Sequence, residues 1–175
     1  MNTEKHPKQQ IANKIKNSGN ILVTVARNPS VDALAAAIAL TLALDKLKKH
    51  ATSVFSGDIP PAINFLEPEK MFENNADSLR DFVISLSKDK ADRLRFKPDG
   101  DMVRIYITPY KTKLSSDDLS FSDGDFNIEL VLAIGVDSRD DLDDAIASHG
   151  RILHSATTAT IGLADQKDFL GAISW

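Results

Sequence analysis

Between Ile21 and Lys49 the chain reads ILVTVARNPSVDALAAAIALTLALDKLKK, and its apolar period changes once along the way. Ile21 to Val25 is a short β-branched run, which predicts a strand buried on both faces of a parallel sheet. Asn28, Pro29 and Ser30 break it. From Val31 the apolar residues recur at helical spacing through Leu34, Ile38, Leu42 and Leu47 in an alanine-rich background, which predicts a helix. His50 to Ser56 then offers Ala51, Val54 and Phe55 for a second strand, completing a βαβ unit with a right-handed crossover. Strand, helix and strand in that order predict an α/β fold, a mainly parallel sheet flanked by helices.

At 175 residues the chain suits one domain with a sizeable core, or a domain with a small insertion. Cysteine is absent, so thiol catalysis and thiolate metal sites are excluded, and the composition is compatible with a reducing cytoplasm. The longest apolar stretch, Val31 to Leu47, is amphipathic and interrupted by Asp45 and Lys46. The first ten residues, MNTEKHPKQQ, lack a signal-peptide core. A soluble, cytoplasmic protein with no membrane partner is expected. The net charge of −4 gives no electrostatic footprint for long nucleic acid, while small phosphorylated ligands need only a local cluster of donors.

Along the rest of the chain, Gln10 to Asn17 has a helical period and stops at Ser18-Gly19. Asp58 to Phe72, with Pro60, Pro61 and Pro68, leaves room only for a short helix around Ala62 to Leu66. Leu79 to Leu114 contains three alternating runs, DFVISL, RLRFK and MVRIYIT, with Pro98-Asp99-Gly100 as a turn, which predicts an inserted β-hairpin with a neighbouring strand. Its interleaved Arg93, Arg95, Lys97 and Arg104 form either a solvated strand face or a platform for phosphate or oligonucleotide, with Phe96 and Tyr106 available for stacking. Such alternation is common to any half-buried hairpin, which favours the solvated face.

Ser115 to Asp125 reads as a polar, acidic loop and lacks the spacing of a calcium loop. Phe126 to Val136 returns to a buried strand, Asp137-Ser138 to a cap, and Arg139 to His149 to a helix ended by Gly150. Asp140, Asp141, Asp143 and Asp144 then complement the dipole of its first turns. Arg151 to Leu153 reads as a short strand, and His154 opens a polar segment.

Ligands of open α/β sheets collect outside the carboxyl ends of strands, so the Ala26 to Asp32 loop is the first place to look for chemistry. Its one carboxylate, Asp32, stands where helix amides favour an anion or accept a carboxylate cap.

The loop resembles the first motif of the DHH phosphoesterases, the family of RecJ-like nucleases, nanoRNases, cyclic-dinucleotide phosphodiesterases and pyrophosphatases, whose pattern is His-x-Asn-Pro-Asp-Gly-Asp-Ala. Asn28, Pro29, Asp32 and Ala33 match, while Ala26, Ser30 and Val31 replace the histidine, the first aspartate and the glycine. The family's second motif, an aspartate ending a buried strand, falls at Gly135, with Asp137 two residues on. The Asp-His-His motif falls on Leu153, His154 and Ser155, and Ala156 to Gly162 continues its frame.

The resemblance implies a DHH-type fold and hydrolysis of phosphodiesters in short oligonucleotides or cyclic dinucleotides, with Mn²⁺ or Mg²⁺ as cofactor. It implies Asp32, His154 and Asp137 as the remaining metal ligands, and Asn28, Ser30, Thr157 and Thr158 as phosphate-binding groups. The family's smaller substrate-binding domain has no counterpart in these residues. Because leucine cannot ligate a hard cation and serine replaces imidazole poorly, a second expectation stands beside hydrolysis. It is a pseudoenzyme that binds a nucleotide, a phosphate or a protein partner after losing the metals.

Overall fold

Residues 6–162 and 173–175 are described in the computed structural model of the chain. Helix α1 (Pro7–Asn17) opens on a proline, whose missing N–H costs nothing in a first turn, and closes with Lys14 and Lys16 against the negative end of the dipole. Strand β1 (Asn20–Val25) follows, with Ile21 to Val25 all buried. Helix α2 (Val31–Lys46) starts at Ser30, whose hydroxyl accepts the Ala33 N–H at 3.1 Å. The cap is therefore the serine. Asp32 stands in the first turn, where its charge complements the dipole without closing the helix.

Strand β2 (His50–Val54) runs parallel to β1, from Asn20 opposite His50 to Thr24 opposite Val54. Two 3₁₀ turns, Pro61–Leu66 and Pro68–Lys70, carry the proline-rich connection to β3 (Phe72–Glu73), which pairs in parallel with β2.

The chain divides into two compact units, Met1–Arg80 with Phe126–Trp175, and Asp81–Asp125. In the second unit β4 (Arg80–Leu86) pairs with β7 (Leu119–Phe126), and β5 (Ala91–Asp99) pairs with β6 (Met102–Pro109) in the expected hairpin. Two expectations are corrected here. The strand next to the hairpin in sequence takes its partner from Ser115 to Asp125. That segment is a 3₁₀ turn, Ser116–Asp118, followed by a strand. Ser115 and Asp118 close the turn as a capping box, and Phe121 stacks on Phe82 with ring centroids 6.0 Å apart. Both faces of β7 are largely wet, so it shows no apolar alternation from which a strand is read.

Back in the first unit, β8 (Leu130–Ile134) is buried throughout. The single helix expected over Arg139 to His149 is replaced by a 3₁₀ turn, Arg139–Asp141, and a short α3 (Asp144–Ala147). The main chain between them is tied to the end of β1. Arg27 N–H donates to the Asp141 carbonyl at 2.6 Å, Asp143 N–H donates to the Val25 carbonyl at 3.2 Å, and Leu142 bridges Ala26. A helix through Leu142 would have to give up those bonds. The strand expected at Arg151 to Leu153 is also corrected: Arg151–Ser155 is a helix, α4, anchored by fully buried Ile152. Strand β9 (Thr157–Ile161) begins only after it, and β10 (Ile173–Ser174) completes the sheet.

All six strands of this sheet are parallel, in the order β10-β9-β8-β1-β2-β3. From β1 the chain steps outward to β2 and β3, then returns to the other side of β1 and steps outward through β8, β9 and β10. The direction reverses between β1 and β8. One face, with Ile21, Val23, Val25, Leu130, Leu132 and Ala159, packs on Leu34, Ala37, Ile38 and Leu44 of α2. The other, with Leu22, Val54, Val131 and Ala133, packs on Leu142, Ile146 and Ile152. Among the described residues no helix is long and apolar enough to cross a membrane.

Candidate functional site

Parallel strands all point their carboxyl ends to one edge, and where the strand order reverses, the loops leaving two neighbouring strands diverge and open a crevice. Here that place lies between β1 and β8. A cleft of about 610 Å³ opens there, lined by Ser30, Asp32, Ala33 and Ala36 of the α2 start, Ile134, Gly135 and Asp137 after β8, and Ile161, Gly162 and Trp175 beyond β9 and β10. Gly135 makes the turn out of β8 at φ 64°, a left-handed conformation that glycine adopts without strain, and a Cβ there would stand 3.5 Å from that of Ala33.

Trp175 is fixed by its main chain, donating its N–H to the Thr160 carbonyl at 3.0 Å and accepting the Gly162 N–H at 2.9 Å. The Lys8 ammonium lies 4.3 Å from its ring centroid, yet the residue remains 48% exposed, enough for a planar group to reach the ring. Asp32 and Asp137 are both exposed. The cleft thus joins an apolar floor and an aromatic side chain to two carboxylate acceptors.

The same loop flanks a second concavity, about 510 Å³, lined by Arg27, Asn28, Pro29, Phe55 to Asp58, Asp143 and Asp144. Asn28 belongs to this one, on a different lining set from Ser30 and Asp32. The Arg27 guanidinium is paired with Asp144 at 2.8 Å, so its charge is largely answered within the chain. Asp143, only 1% exposed, accepts the Ser56 N–H at 3.0 Å, the Ser56 hydroxyl, and the Ala145 N–H at 3.0 Å, and thereby caps α3. It clips the end of β2 to the segment after β8, and holds the two loops that form this concavity.

Of the residues expected to act together, the structure gathers Ser30, Asp32 and Asp137 at one cleft and places Asn28 on the adjoining loop. His154, Thr157 and Thr158 are not among its lining residues. Thr157 pairs with Leu130, the first residue of β8, and lines a groove with Lys14, Asn17, Ser18 and Glu129 at the amino ends of the strands. Thr158 is buried, and its hydroxyl has no hydrogen-bond partner among the described residues. His154 stands on α4, the element that feeds β9 at its amino end.

The reason lies in one element. The sequence pattern predicts a strand ending at Leu153, with His154 opening a polar segment after it. It is a helix followed by a strand, so residues placed after a carboxyl end precede an amino end.

The donor set can be weighed against a two-ion centre, which requires several carboxylate and imidazole ligands around a pair of cations. Among the described residues no three histidine, aspartate or glutamate side chains come together, and the cleft offers two carboxylates. These residues do not fit that centre. Compared with protein-family models and with curated proteins, the chain matches none.

Proposed function

We propose that this chain is a binding domain for a small nucleotide, related in plan to the DHH phosphoesterases but lacking their hydrolytic centre, and that the nucleoside part seats in the cleft between β1 and β8. What carries the reading is the lining of that cleft: a half-exposed indole, one face of it met by the Lys8 ammonium, beside an apolar floor and two carboxylate acceptors. A base can lie against Trp175. Sugar hydroxyls can donate to Asp32 and Asp137, groups that would repel a phosphate placed between them. A phosphate is better accommodated toward Ser30 and the first amides of α2. Dinucleotides and short oligonucleotides belong to the same ligand class.

Trp175 is the chain's only tryptophan, so its fluorescence reports on the cleft alone. Titration with adenosine monophosphate is expected to change the emission saturably in the micromolar to millimolar range. In calorimetry, Trp175→Leu is expected to weaken binding at least about tenfold, the stacking contribution of one base. A flat titration at millimolar nucleotide would refute the proposal.

A second reading, hydrolysis of the phosphodiester, rests only on the resemblance to the DHH phosphoesterases, and the two carboxylates of the cleft, Asp32 and Asp137, do not by themselves favour it. It requires Mn²⁺-dependent release of mononucleotide from a dinucleotide, lost in Asp32→Ala. Binding without such turnover selects the first reading.

A further inference from the structure

Independently of the cleft, the unit Asp81–Asp125 has no core of its own. None of its 45 residues is buried, and its four strands are paired only two by two. Eleven of the sixteen exposed large apolar side chains among the described residues lie in it. Ordering a backbone is costly per residue, and a lone two-stranded ribbon is marginally stable in water, so a unit without a core needs apolar surface covered from outside.

The hairpin register shows which surface. Leu94 faces Ile107, Phe96 faces Ile105 and Pro98 faces Val103, so these six side chains share one face of the ribbon. Arg93, Arg95, Lys97, Arg104 and Tyr106 share the other. Phe96 and Tyr106 are thus on opposite faces, and the stacking platform considered from the sequence does not form. On the cationic face, Arg104 bonds Asp99 at 2.9 Å and Arg95 lies 5.1 Å from the Tyr106 ring. The six side chains of the apolar face are all uncharged.

We propose that this apolar face is the contact between two copies of the chain, packed ribbon on ribbon about a two-fold axis. Two features favour a second copy. The first is area: Leu94, Phe96, Val103 and Ile105 are 73%, 77%, 68% and 52% exposed. They present roughly 500 Å² per chain, so two copies bury about 1,000 Å², the lower bound for a specific interface. The second is charge: an uncharged face meets its own copy without like-charge repulsion, whereas a nucleic acid would be drawn to the opposite, cationic face.

Sedimentation of the full chain from low micromolar to sub-millimolar concentration tests this. The wild type is expected to pass from the 19.1 kDa single chain to twice that mass. Phe96→Asp should weaken association at least about tenfold, with an unchanged circular dichroism spectrum because the side chain is exposed. Lys97→Asp, on the other face, is expected to keep the dimer. A wild type that stays single at every concentration overturns the proposal, as does a dimer that survives Phe96→Asp or is lost equally in Lys97→Asp. Attachment of a single-chain protein to phosphatidylcholine vesicles through Phe96 also overturns it, since a bilayer would then be the occupant.

Discussion

Replacing Asp143 by alanine removes a carboxylate that is 1% exposed and takes hydrogen bonds from the Ser56 amide, the Ser56 hydroxyl and the Ala145 amide. The hydroxyl can rotate toward another acceptor, but the two amides cannot. The orphaned Ser56 amide costs about 1 to 3 kcal/mol, and loss of the Ala145 bond, which is the α3 cap, contributes about 1 kcal/mol. Release of the carboxylate's own desolvation penalty offsets part of this. The net expectation is a loss of about 2 to 3 kcal/mol, a large share of the 5 to 15 kcal/mol typical of a domain.

Urea unfolding followed by far-ultraviolet circular dichroism measures it, and in a chain of this length the melting temperature should fall by roughly 4 to 12 °C. Asp144→Ala is the control. It deletes a neighbouring carboxylate whose pairing with Arg27 is between half-exposed groups, and it should cost under about 1 kcal/mol. Asp143→Asn keeps one acceptor but turns an amide donor toward the Ser56 N–H, and should fall between the two. If Asp143→Ala and Asp144→Ala destabilise alike, the clip between β2 and the segment after β8 contributes nothing, and the account of this buried acid is wrong.

Two further outcomes follow from single side chains. The buried Thr158 hydroxyl has no partner among the described residues, so Thr158→Val, nearly the same shape, should stabilise the chain by about 1 kcal/mol; a destabilisation of that size in urea unfolding would show that the hydroxyl is satisfied after all. In the second unit, the Lys90 ammonium bonded to Asp118, joined by the Ser115 amide and hydroxyl, holds the Asp118 carboxyl down at about 2. A depressed acid stabilises the fold above its unfolded value of about 3.9, and that contribution is lost as the pH falls through 3.9 toward 2. Carboxyl carbon shifts should titrate with that low midpoint, and Lys90→Met should raise it; a midpoint unmoved by the substitution would rule out Lys90 as the main cause.

The elements visible in the sequence are those whose period is set by burial. Ile21 to Val25, Leu34 and Ile38 of α2, and the run around Leu130 to Ile134 are each in contact with the core, and each was legible, whereas Leu42 and Leu47, expected on the same helical stripe, are exposed and Leu44 is buried instead. The misread elements owe their shape to something other than their own pattern. Leu142 and Asp143 are drawn out of a helix by bonds to Val25 and Ala26, residues more than a hundred positions away. Arg151–Ser155 is a five-residue helix with a single buried residue, too short to show a period. At the candidate site, Ser30, Asp32 and Asp137 were found because they follow buried strands. Trp175 was missed as a cleft residue because its place depends on pairing between β10 and β9.

This bears on what the meeting of Asp32 and Asp137 can mean. In a parallel sheet whose order reverses between β1 and β8, residues leaving the carboxyl ends of those two strands lie at one rim whatever the chain's ancestry. Their proximity is a property of the topology. It would hold in a hydrolase, a nucleotide-binding domain or a domain of any other function wound in this order. A third ligand group would have been informative, because the Asp-His-His segment has no topological obligation to reach the same rim unless it follows a strand there. In this chain it precedes one. The chemistry of the lining carries more weight than the convergence itself: two acceptors, an indole and an apolar floor favour donor-bearing, planar ligands over a pair of cations.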